Sequence, residues 1–215
     1  APSAHSELVF SPAVEFRFWM FSRLARQLGL LPAQGRIQRL QLRGIPVAVE
    51  NSRDDIATDA VIARLDEALA LIERYQPWRM AHLRRDLWRI AVVRFPCRGA
   101  FLPADGTCIT ELTFLARRDI TAAPVASSIV HEGMHARVTR MGLAPGSRDA
   151  AREERICRRA ELDFGHALPA ELGAPVIARA EESLRLDDEN VAPEVDWAEA
   201  QRRQDAIDNA ARRNR

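Results

Sequence analysis

The stretch IVHEGMHARV, residues 129–138, sets two histidines four positions apart with a glutamate directly after the first. Residues at that spacing share one face of a helix about a turn apart, so a helix here presents the His131 and His135 imidazoles side by side. The face through His131 also carries Met134, Val138 and Met141, while Arg137 and Arg140 lie off it. Both histidines are therefore expected to point inward. With five His and sixteen Glu in the chain, shuffling yields an HExxH pattern roughly once in a hundred trials, so the neighbouring segments decide its meaning.

Downstream, SRDAAREERICRRAELDFGHALP, 147–169, follows a GLAPGS break and reads as a second helix capped by Ser147. A further helix is expected at about 175–186. Upstream, LWRIAVVRF (87–95) and TCITELTFL (107–115) are β-branched and aromatic runs joined by the turn-rich PCRGAFLPADG. They predict a small antiparallel sheet ahead of a histidine helix spanning 125–141. IQRLQLRGIPVAVE, 37–50, reads as a short strand or hairpin. ATDAVIARLDEALALIERY, 57–75, is an amphipathic helix with Val61, Leu65, Ala68, Leu69 and Ile72 on one face, stopped by Pro77. An N-terminal amphipathic helix is expected over 12–30. The fold class is α+β and mostly helical: one domain over 1–190, then a polar tail over 191–215 that is a loosely docked helix or disordered.

Zinc takes neutral imidazole nitrogens at about 2.0–2.1 Å, and a catalytic zinc uses three protein ligands and keeps a position for water. His131 and His135 supply two donors. Glu132, turned away from the histidine face, reaches metal-bound water as a general base instead of ligating. The third ligand must come from the second helix, where Glu153 and Glu154 are candidates. An apolar face through Ile156, Cys157, Ala160, Phe164 and Ala167 puts Glu153 near its centre and Glu154 about 100° away. Periodicity favours Glu153, and spacing favours Glu154. Glu161, two turns on, could steady a histidine or be a solvated charge beside Arg158 and Arg159.

The arrangement resembles the gluzincin class of zinc metallopeptidases, in which HExxH is followed by a glutamate on a second helix. Eighteen residues lie between His135 and Glu154, close to the separation in that class. The resemblance covers about 107–169 and extends to small bacterial HExxH proteins that carry Glu and then Cys three positions later, as Glu154 and Cys157 do. It implies a zincin-like domain with Zn2+ held by His131, His135 and Glu154, with Glu153 as the alternate. It also implies that the strand before the active-site helix, here GTCITELTFL, holds an extended substrate. The GxMEN motif and the long metzincin continuation HExxHxxGxxH are both absent, so aminopeptidase specificity does not carry over. Tyr75, His82 and His166 are the candidates for an oxyanion partner.

Composition narrows the function classes. The chain has 215 residues, 47% hydrophobic and 28% charged, enough for one sizeable core. A net charge of +1, from 31 basic against 30 acidic residues, gives no field favouring nucleic acid or an anionic membrane. Every basic residue is Arg, a pattern of GC-rich bacterial coding. Cys97, Cys108 and Cys157 have no zinc-finger spacing and read as reduced thiols, although a Cys97–Cys108 bridge across the turn is conceivable. No run approaches the ~18 apolar residues of a membrane span. The expected location is cytoplasmic. The expected function is zinc-dependent hydrolysis of a peptide or protein substrate through zinc-activated water. The rival class is a non-catalytic zincin-like interaction module whose zinc is structural or lost.

Overall fold

The computed structural model describes residues 37–143, 150–193 and 196–213, within one compact unit that begins at Gly35. The expected helix over 12–30 and the Ser147 cap fall outside the described residues. The architecture is α+β, with five strands and eight helices among the described residues.

A hairpin opens the unit: β1 (Ile37–Leu42) pairs antiparallel with β2 (Ile45–Glu50). Its two turn residues both have positive φ, 47° at Arg43 and 83° at Gly44, the geometry that suits the twist of a tight hairpin. Left-handed backbone is costly for arginine. The side chain offsets that cost by bonding Glu73 at 2.7 Å and Asp66 at 2.9 Å on the helix α1 (Thr58–Tyr75). The apolar face expected for α1 is buried at all five positions. Pro77 ends α1 and also occupies the first turn of α2 (Pro77–Asp86), where its missing N–H has no helical partner to lose.

The sheet differs from the expected antiparallel pair. Strand β3 (Arg89–Val93) runs parallel to both β2 and β5 (Thr107–Glu111). The connection read as turns contains a further strand, β4 (Gly99–Leu102), antiparallel to β5. The sheet is thus mixed, in the order β1-β2-β3-β5-β4. The chain crosses past β5's position, makes the edge strand, and turns back to pair inside it, which leaves β3 and β5 pointing the same way. Only the turn signals at its two ends were legible, because a four-residue strand is too short to show a period. β5 ends earlier than expected: Glu111 accepts from the Phe114 N–H at 2.7 Å and so caps a short helix, α3 (Leu112–Ala116).

The histidine segment lies in α4 (Ala122–Arg140), whose first turn is capped by the Thr121 hydroxyl. α4 packs against α1, α2, β4, β5 and the glutamate helix α5 (Ala150–Ala167). It is buried on most sides, so Met134 is only partly exposed, while Met141, expected inward, is 54% exposed at the helix end. α6 (Ala170–Leu184) covers α5, followed by α7 (Asp188–Val191) and α8 (Trp197–Arg213). Asp208 of α8 ties the polar tail to the body, accepting from Arg53 at 2.6 Å and Arg94 at 2.8 Å. No helix among the described residues is long and apolar enough to cross a membrane.

A glycine inside the histidine segment has a packing cause. A Cβ on Gly133 would come within 2.3 Å of Leu83 Cδ2, so α2 sits directly on α4 at that point. Gly133→Ala should cost about 1–3 kcal/mol through overpacking. Urea denaturation of the two proteins measures it, and an unchanged midpoint would show that Leu83 rotates away freely.

Candidate metal centre

The seam between α4 and α5 brings the histidines and the glutamates together. His131 and His135 face each other through their Nε2 atoms at 3.2 Å. The Glu154 carboxylate lies over the same point, with Oε2 3.3 Å from His131 Nε2 and Oε1 3.1 Å from His135 Nε2. Glu153 is also turned toward α4, but to the far side of a ring: its Oε1 is 2.7 Å from His135 Nδ1. Glu161 does the same for the other ring, 2.6 Å from His131 Nδ1. It is 2% exposed, so the reading as a solvated charge is wrong. It also accepts from Ser127 at 2.9 Å and from Arg158 at 2.6 Å. Arg158 is one turn back on the same helix, whereas Ser127 was not anticipated, because only the crossing of the two helices brings it to Glu161.

These contacts fix the tautomers. Ionised carboxylates accept only, so each Nδ1 donates its proton to Glu153 or Glu161. Both Nε2 lone pairs are then left aimed at one another, an arrangement that needs a shared cation, either a proton or a metal. A tetrahedral ion with ~2.0–2.1 Å bonds separates its N and O donors by about 3.3 Å. The observed 3.1–3.3 Å spacings fit that ion. Cys157 completes the surroundings, its Sγ lying within 4.8 Å of the histidine donors. His131, His135, Glu154 and Cys157 are thus the side chains that could hold a metal, with Glu153 and Glu161 behind the rings as supports.

Glu132 sits beside this cluster at the edge of the sheet, 7% exposed. Its Oε1 is 3.0 Å from the place a Cβ on Gly99 would occupy, so a side chain on β4 here would crowd Glu132. Burial raises its carboxyl pKa, against the opposing pull of His131 and His135. The edge over the site is β4 and not the expected 106–115 stretch. β5 is buried along its length and paired on both sides, so it has no free backbone to offer. The oxyanion candidates are elsewhere: Tyr75 packs at the core, His82 stacks edge-on to Trp78 at 5.6 Å, and His166 is exposed. Among the described residues no hydrogen bond joins any of them to the cluster. The three cysteines are free, so the conceivable Cys97–Cys108 bridge is absent.

Comparisons with known protein families, curated proteins and solved structures find no match.

The metal-free protein should respond to pH through its histidines. Burial lowers the His135 pKa, but Cys157, Glu153 and Glu154 raise it further, and the net value lies well above the usual one. His131 is raised likewise, by Glu154 and Glu161 against burial. A folded-state pKa above the unfolded value of about 6.5 stabilises fully below that value, and the gain is lost as pH rises through the folded pKa. Chelator-treated protein should therefore withstand more urea in mildly acidic buffer than in alkaline buffer. Equal midpoints would mean that the ring protons are not held by these carboxylates.

Proposed function

We propose that the protein is a zinc-dependent hydrolase of the metallopeptidase type, with His131, His135 and Glu154 as zinc ligands and Glu132 as general base. The observation that carries this reading is the convergence of two Nε2 atoms and one carboxylate at tetrahedral spacing, each ring braced by its own carboxylate. Glu153, committed to a ring Nδ1, is the support and Glu154 the ligand. Zinc, when bound, supplies a Lewis acid and lowers the pKa of water to near neutrality.

The chain's own residues do the remaining work. Glu161 and Glu153 hold the imidazoles in the tautomer that offers Nε2. Glu132, whose carboxyl pKa is raised by burial against the pull of His131 and His135, takes a proton from water and passes it to a leaving amine. β4 has no strand partner on its outer side among the described residues, so an extended peptide can pair with it by adding a strand. Gly99 on that strand faces Glu132, whose Oε1 is 3.0 Å from where a Cβ on Gly99 would stand, which would bring a paired peptide bond near the base. A reducing compartment such as the cytoplasm suits the free thiols.

Protein purified without added metal should carry about one zinc per chain by elemental analysis. Protein that arrives metal-free and takes up no zinc would sink the proposal. Glu132→Gln should keep the zinc and lower cleavage of a quenched-fluorescence peptide library by about 10²–10⁴-fold. Glu161→Gln should weaken zinc binding by about 10–100-fold, measured by competition with a chromogenic chelator.

A further inference from the structure

Glu154, Cys157 and Glu161 stand at i, i+3 and i+7 on α5, one stripe along the helix, and that stripe faces α4. Its two ends have defined partners, Glu154 at both Nε2 atoms and Glu161 at His131 Nδ1. Cys157 lies between them with no solvent exposure, its Sγ within 4.8 Å of the His131 and His135 donors. Cys108 is buried to the same degree but belongs to the continuous apolar core, whereas Cys157 does not. A cysteine acting only as a small hydrophobe belongs in the first setting. Cys157 instead sits among imidazoles and carboxylates. A tetrahedral zinc would separate a thiolate sulfur from an imidazole nitrogen by about 3.5 Å, and the Cys157 side chain is within reach of that spacing.

We infer that Cys157 is the fourth donor of the metal site, so that its resting form is one cation held by His131, His135, Glu154 and Cys157. The inference rests on the metal-site reading above and goes beyond it. A zinc with four protein donors is closed, whereas a hydrolytic zinc keeps a position for water. In this form the site is latent, and it opens to water only where Cys157 gives up its position. On metal binding the thiol releases its proton to solvent and the sulfur binds as thiolate.

Cobalt(II) titrated into the metal-free full chain tests this, because a cysteine ligand produces an intense thiolate-to-cobalt charge-transfer band in the near ultraviolet. Equimolar uptake with that band is expected. Cys157→Ser should abolish the band while still taking up one cobalt. The double variant Cys97→Ser, Cys108→Ala, in which Cys157 is the remaining thiol, should retain it, and this arm does not depend on Cys157→Ser folding. Equimolar uptake without the band, or a band that survives Cys157→Ser, overturns the inference and leaves the metal site standing. Failure to take up either cobalt or zinc overturns both.

Discussion

The His131 and His135 rings, one turn apart on α4, meet at 3.2 Å in the seam between α4 and α5, and the charges around them have to be arranged to suit that contact. Glu132, Glu153, Glu154 and Glu161 all lie in or beside the seam, and the guanidinium bonded to them is that of Arg158. With both imidazoles neutral, the acidic side chains outnumber the cations facing them, Arg158 and the nearby Arg179, in a largely dry place. Buried charge without compensation is costly. In the metal-free protein, protons on the histidines relieve it, which is why both ring pKa values are raised. A divalent cation would relieve it more completely and would compete with protons for the same two nitrogens.

The rest of the fold holds that seam in place. α4 is the central helix, pressed by α2 at Gly133, by the sheet at Gly99 and by α5 along the histidine face. With so many sides packed it has little freedom to turn, so the rings cannot swing out without opening the core. α6 presses α5 from behind, which fixes the stripe carrying Glu154, Cys157 and Glu161. The sheet contributes an edge: β4 is short and unpaired on its outer side among the described residues, and it runs directly over Glu132. Glu132, the histidine pair and the open strand edge are thereby brought together by two separate parts of the chain, α4 and β4.

Much of this was legible in local patterns. The α1 face from Val61 to Ile72 and the helix bearing both glutamates follow from periods of 3.6 residues in the sequence, and the helical reading of 129–138 from the four-residue spacing of its histidines. Strand direction was not legible. β3 and β5 look like the arms of a hairpin until β4 is seen between them, and pairing partners are settled by contacts distant in sequence. The roles of Glu153 and Glu154 were equally hidden. A helical wheel ranks the two by an average apolar face, whereas both reach α4 at the start of α5 and divide the work between a ring Nδ1 and the paired Nε2 atoms.

By itself the sequence determined that two imidazoles and a carboxylate would share a turn of helix and that a second helix would carry further carboxylates, because those relations depend only on spacing along one backbone. The tertiary structure alone decided that Glu161 is buried against His131, that Cys157 lies with the paired histidines and outside the apolar core, and that β4 is the open edge among the described residues. Each of these depends on the rotation of one element about its axis relative to another, which is set by packing between segments far apart in the chain.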